Sequence, residues 1–312
     1  MAALAAALLT LVGGCATTGD TRAAPSSAGS EDPAARVVTA DYRPGLSATL
    51  RLPVATGPAT LVVLVPGGGW QTADPAGLVP LAQTLTSAGA ATATITYGTA
   101  STGAVFPEPA DDVACAVRWA AATATRRGVA PEQVVLLGHS AGGHLAALVT
   151  LAGNEFGADC PDPAVDIDAL VGLAGVYRVG AAAEVAVSLF GVAPGEDPER
   201  WQRGDPTWWA DHGGPWPGLR VLLLHGDADT LVPVTQTSML GDALDRRGVD
   251  VTVRIVPEAT HQSLYEQAVA APLVLGWLGL EDPAAQSQAT GTVAPAGWKP
   301  VAAGSAGSAS SR

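Results

Sequence analysis

The pentapeptide Gly138-His139-Ser140-Ala141-Gly142 follows directly on the apolar run Val134-Val135-Leu136-Leu137 and leads into His144-Leu145-Ala146-Ala147-Leu148-Val149. A strand that stops and a helix that starts within so few residues leave room only for a very tight turn. A G-x-S-x-G at such a junction is the nucleophile elbow, in which the serine backbone is strained and its hydroxyl stands out over the sheet. The flanking glycines are required because a Cβ at either place would strike the neighbouring strand or helix. Ser140 is therefore the candidate nucleophile.

A serine hydroxyl needs a base, and the base needs a carboxylate to orient it. In chains built on this elbow the partners follow in the order serine, acid, histidine. The chain has five histidines, His139, His144, His212, His225 and His261. The acid belongs in a loop after a later strand, and Val221-Leu222-Leu223-Leu224-His225 followed by Gly226-Asp227-Ala228-Asp229-Thr230 is that place. Only His261 lies beyond it, so the order is satisfied in one way. Asp229 sits deeper in the loop, before the Leu231-Val232-Pro233 turn, and is the candidate acid. Asp227 reads as a turn residue that satisfies backbone donors. His139 and His144 flank the nucleophile and are expected to pack or bond beneath it. His225 is expected to brace the acid loop, and His212 to lie at the surface or in the cap.

Stabilising a tetrahedral intermediate requires amide donors aimed at its oxygen. The run Leu61-Val62-Val63-Leu64-Val65 passes straight into Pro66-Gly67-Gly68-Gly69-Trp70, where glycines expose N–H groups without side-chain cover. Gly68 and Gly69 are the candidate donors there. Ala141, next to the nucleophile at a helix N-terminus, supplies a third.

Apolar β-like runs alternate with helical stretches along residues 38–281. Strands are expected near 48–52, 61–65, 92–97, 134–137, 170–174, 221–225 and 251–256, with helices near 78–88, 109–126, 141–152, 234–247 and 263–279. Fully apolar strands separated by helices imply an α/β domain, its mostly parallel central sheet covered by helices on both faces. Functional groups then gather at the strand C-terminal ends, where all three motifs fall. The stretch 177–218 reads as irregular and holds four of the eight tryptophans, Trp201, Trp208, Trp209 and Trp216.

The segments Gly67-Gly68-Gly69-Trp70, Gly138-His139-Ser140-Ala141-Gly142-Gly143, His225-Gly226-Asp227-Ala228-Asp229 with Val232-Pro233, and Ala259-Thr260-His261 together resemble the α/β-hydrolase superfamily. More narrowly they resemble its esterase/lipase branch, related to hormone-sensitive lipase and to feruloyl and acetyl-xylan esterases. Kynurenine formamidases share much of the pattern. The similarity spans roughly residues 40–280. It implies an α/β-hydrolase fold with a small cap insertion at about 177–218, and a Ser140, Asp229, His261 triad. Gly68, Gly69 and Ala141 become the oxyanion donors, and Trp70, Trp208 and Trp209 the expected pocket residues. One departure is plain: the family usually carries histidine before the three glycines, and here Pro66 stands there. Its locked φ is expected to fix the loop instead.

The N-terminal segment 1–14 is apolar, rich in Ala and Leu, too short to span a bilayer, and ends in Val12-Gly13-Gly14-Cys15. Small residues before a cysteine resemble the bacterial lipoprotein cleavage box, although no Lys or Arg precedes the apolar run. The expectation is a signal peptide 1–14, a lipidated Cys15 and a cell-envelope location facing outward, with simple secretion as the alternative. Residues 15–37 read as a flexible tether, and the Ala/Gly/Ser/Pro-rich tail 282–312 as disordered. Export bears on the other two cysteines: Cys115 on a helix and Cys160 after the elbow helix flank the same strand, so a Cys115–Cys160 disulfide is expected in an oxidising compartment.

A net charge of −13, with Lys299 the lone lysine, speaks against nucleic-acid binding, which needs clustered positive charge. No Cys and His fall at metal-ligand spacing, and no cofactor is implied. The expected partner is a small-molecule ester, with membrane contact only through Cys15. The expected function is a serine esterase that works through an acyl-serine. Alternatives are an amide or peptide hydrolase, such as an aryl formamidase, or a non-catalytic binding lipoprotein.

Overall fold

The computed structural model describes residues 36–281. The expected signal segment 1–14, Cys15, the tether up to residue 35 and the tail 282–312 lie outside the described residues. Eight strands form one sheet among them: β1 (Val37–Arg43), β2 (Leu46–Arg51), β3 (Gly57–Val65), β4 (Ala91–Ile95), β5 (Val129–His139), β6 (Ala169–Leu173), β7 (Arg220–Gly226) and β8 (Asp250–Val256). Their order is β1-β2-β4-β3-β5-β6-β7-β8. The β1/β2 and β2/β4 pairs are antiparallel, and every pair from β4/β3 to β7/β8 is parallel.

The apolar runs at the centre read as continuous because both sheet faces are covered. Leu61, Val63 and Val65 of β3, Val134 and Leu136 of β5, and Val221 and Leu223 of β7 enter one core. Their alternates Val62, Leu64, Val135, Leu137, Leu222 and Leu224 enter the other. Helices α2 (Glu108–Arg126), α3 (Ala141–Ala152) and α7 (Thr235–Arg246) contribute to the first core. Helices α1 (Val79–Ser87) and α8 (Gln267–Leu278) contribute to the second. This is the α/β-hydrolase architecture that the resemblance implies. α3 is buried along almost its whole length, because the elbow drives it into the core with α2 against one side.

Two expectations are corrected. The tether does not extend to residue 37, because Val37 opens β1, whose pairing with β2 satisfies its backbone. The stretch 177–218 is not irregular: it holds α4 (Ala183–Phe190), α5 (Pro198–Arg203) and α6 (Pro206–His212). α5 and α6 start at Asp197 and Asp205, whose carboxylates accept the Arg200 and Trp208 amides, with proline next in each case. The Cys115–Cys160 disulfide is formed.

Candidate active site

The elbow is built by exclusion. A Cβ on Gly138 would lie 2.1 Å from the Gly142 carbonyl oxygen, and one on Gly142 would lie 2.2 Å from that of Val65. Ser140 itself has φ 53° and ψ −120°, a region non-glycine residues seldom occupy. The surrounding structure holds it there: Ser140 N–H donates to the Leu173 carbonyl at 2.9 Å, and the Ser140 carbonyl accepts from His144 N–H at 3.0 Å.

The glycine turn after β3 is a second strained segment. Gly68, Gly69 and Trp70 have φ of 132°, 58° and 58° in succession. For Trp70 this conformation is unfavourable, and side-chain anchoring offsets it. Its indole N–H donates to His144 Nδ1 at 3.2 Å, and the two rings meet edge to face. With Nδ1 accepting, His144 carries its proton on Nε2 and donates to the Gly204 carbonyl at 2.8 Å. Burial pushes its pKa down to about 4, so the ring is a neutral strut. The Gly68 and Gly69 amides have no acceptor among the described residues. Tyr97 Oη donates to the Pro66 carbonyl at 3.0 Å, a brace that nothing in the local sequence announces.

The loop after β7 carries the carboxylate. The Asp229 side chain is fully buried. Its Oδ1 accepts from the Leu231 and Val232 amides at 2.8 and 2.9 Å. Its Oδ2 accepts from His261 Nδ1 at 2.7 Å and lies 3.3 Å from His225 Nε2. Burial raises the carboxyl pKa, but the hydrogen bonds from Val232, His261 and Leu231 outweigh it and leave it below the ordinary value. His225 Nε2 also reaches the Val232 carbonyl at 2.9 Å, while its Nδ1 accepts from Thr237 Oγ1 at 2.7 Å. Burial lowers the His225 pKa. Asp227 bonds the Glu258 amide at 2.6 Å. With Nδ1–H of His261 given to Asp229, its Nε2 is left as an acceptor.

Ser140, Ala141, Gly68, Gly69, Trp70 and His261 all line one cavity of about 580 Å³. Its apolar wall comes from Val176, Ala181, Ala182, Val185, Leu231 and Val232. Trp208 and Trp209 do not line it, which corrects the expectation for both. α6 packs on α3 and α7. There the Trp209 indole donates to the Arg203 carbonyl at 2.7 Å, and Trp208 stacks on exposed His212. The insertion reaches the cavity through the turn 179–182 and α4 instead, and Ser188 Oγ ties α4 to the Gly69 carbonyl at 3.3 Å. Among the described residues, no group of three or more His, Cys, Asp or Glu side chains is placed to hold a metal ion.

The chain is similar to known proteins over this same region. A family model designated BD-FAE matches residues 50–244, and the prolyl oligopeptidase family model matches residues 217–277. Esterase LipC of Mycobacterium tuberculosis (strain ATCC 25618 / H37Rv) is 33% identical over 132 residues, covering 41% of this chain and 32% of LipC. The matched region spans a third or less of the curated relatives. Among solved structures, propionate-bound esterase Est2 of Thermogutta terrifontis superimposes with a TM-score of 0.63 at 22% identity, covering 84% of this chain and 97% of that one. A truncated carbohydrate esterase from gut microbiota gives 0.64 at 21% identity, covering 74% and 90%. Those structures share the fold, and the family model covers well over half of the sequence, so the chain belongs to the BD-FAE family.

Proposed function

We propose that the protein is a serine hydrolase that cleaves carboxylic esters. The observation that carries this reading is the 2.7 Å bond from His261 Nδ1 to buried Asp229, in a cavity whose wall holds both His261 and the strained Ser140. Asp229 holds the imidazole in the tautomer that leaves Nε2 free to take the Ser140 proton. Ser140 Oγ then attacks the ester carbonyl, and the amides of Gly68, Gly69 and Ala141 bind the oxyanion. As the intermediate collapses, His261 returns the proton to the departing alcohol, leaving acyl-Ser140. Water, deprotonated by His261, attacks that acyl group, releasing the acid and restoring the serine. Among the described residues the cavity lining includes Asp74 and no lysine or arginine, so it suits neutral esters better than anionic ones. LipC, the T. terrifontis protein and the gut carbohydrate esterase are all described as esterases.

Export and anchoring through Cys15 belong to the same proposal, supported by the Gly13-Gly14-Cys15 box and by the Cys115–Cys160 bridge, a bond of oxidising compartments. One experiment addresses both. A fluorophosphonate probe is expected to label the wild type in the membrane fraction, the Cys15→Ser variant in the soluble fraction, and the Ser140→Ala variant not at all. Loss of the nucleophile is expected to lower hydrolysis of a short-chain aryl ester by about 10⁶-fold. Persistent labelling or turnover in Ser140→Ala would overturn the catalytic reading, and a soluble wild type the anchored one.

A further inference from the structure

His139, the residue before the nucleophile, is almost completely buried and has no part in the chemistry just described. Its Nε2 lies 3.0 Å from the backbone carbonyl oxygen of His261, 122 residues away in the chain. A carbonyl only accepts, so Nε2 carries the proton and donates. No other hydrogen bond reaches the His261 carbonyl among the described residues. The His139 ring also lies 4.7 Å from the His261 ring and 4.6 Å from that of Tyr265, centre to centre. On its other edge Nδ1 faces the glycine turn, where a Cβ on Gly67 would come within 2.9 Å. The ring thus sits where the elbow, the glycine turn and the base loop converge, at the end of β5, a strand paired on both sides.

Burial pushes the His139 pKa down to about 4. Near neutral pH the ring is uncharged, with Nδ1 bare. That matters beside a base that becomes cationic during turnover, because a second cation would oppose the charge on His261.

We propose that His139 is a positioning residue for the catalytic base, its Nε2–H holding the His261 carbonyl and so setting the His261 imidazole against Ser140. This rests on the serine-hydrolase reading above. The physical reason is leverage: His139 and Ser140 are consecutive on a rigid turn, whereas His261 comes from a distant loop. A hydrogen bond between them is the shortest path that fixes one relative to the other.

The test compares His139→Phe, which keeps a ring but removes the donor, with His139→Gln, whose amide nitrogen replaces Nε2. Steady-state kinetics and the rate of fluorophosphonate labelling are read for each, with thermal melting to establish folding. The Phe variant is expected to lose about 10²-fold in kcat, the cost of a base displaced by roughly 1 Å, with KM nearly unchanged and labelling slowed in parallel. The Gln variant is expected to recover most of that loss. A purely structural role would not separate the two in this way. If Phe fails to fold, His139→Asn, whose donor falls short of the carbonyl, replaces it and is expected to be slower than Gln. A Phe variant labelled at the wild-type rate would overturn the inference alone, as would a folded Gln variant no faster than Phe or Asn. A wild type that is never labelled would overturn the serine-hydrolase reading, and the inference with it.

Discussion

Position 66 shows how much a single side chain elsewhere can decide. Proline stands just before the three glycines, and it contributes no N–H and no polar side chain that could brace the turn. Its carbonyl is held instead by Tyr97 Oη at 3.0 Å, from a segment just past the end of β4. A net contribution of about 0.5–1.5 kcal/mol for such a bond predicts that Tyr97→Phe lowers kcat by at most about twofold to thirteenfold with little change in KM. An unchanged kcat would mean that the proline ring holds the turn unaided. At this scale the pairing of Asp229 with His261, and the place of Ser140 on the same cavity as His261, were legible: chain order left only His261, and depth in the loop separated Asp229 from Asp227. Trp208 and Trp209 were not. An aromatic residue in an insertion advertises burial without direction, and here Trp208 stacks on His212 and the Trp209 indole donates to the Arg203 carbonyl.

The long elements were legible for a related reason. β3, β5 and β7 are apolar on both faces, and α2 and α3 run for 19 and 12 residues, so their patterns are strong. α4, α5 and α6 have only 8, 6 and 7 residues, too few for periodicity to register. The Asp197-Pro198 and Asp205-Pro206 pairs are helix-start signals that would have found the last two. Between elements, the Cys115–Cys160 bridge links α2 to the segment after α3. Arg118 reinforces it with bonds to the Phe156 and Gly157 carbonyls, and Asp111 accepts from the Gly157 amide. The bridge closes a loop of 45 residues, and such a link stabilises by about 2–4 kcal/mol, chiefly by constraining the unfolded chain. A reducing agent is therefore expected to lower the urea midpoint while leaving the labelling rate unchanged, since neither cysteine lines the cavity. A midpoint indifferent to reduction would contradict this.

For the whole molecule, three buried neutral histidines give stability a definite dependence on pH. His139 and His144 are pushed down to about 4 and His225 is also lowered, in each case chiefly by burial. Unfolding returns each to the ordinary value near 6.5. Below that pH the unfolded chain binds protons that the folded chain refuses, so stability falls as the solution is acidified. Between pH 6.5 and 5 the loss is about 1.6 kcal/mol for His139 and for His144, since the slope reaches its full value of about 1.4 kcal/mol per pH unit only well below pH 6.5. Asp112 and Asp205, whose pKa values burial raises, act in the opposite sense nearer their own titration. Urea unfolding is expected to show a lower midpoint at pH 5 than at pH 7, and an equal or higher one would refute the assignment.

The sequence alone pointed to the class of fold and to Ser140, Asp229 and His261 as residues of one site, because local sterics and hydrophobic alternation are written in adjacent residues. Tertiary structure decided what touches what across long separations: the Tyr97 brace, the grip of His139 on the His261 loop, and the face that α6 presents. Those contacts join residues tens to more than a hundred positions apart. Their existence depends on how whole elements pack, and no window of sequence contains that information.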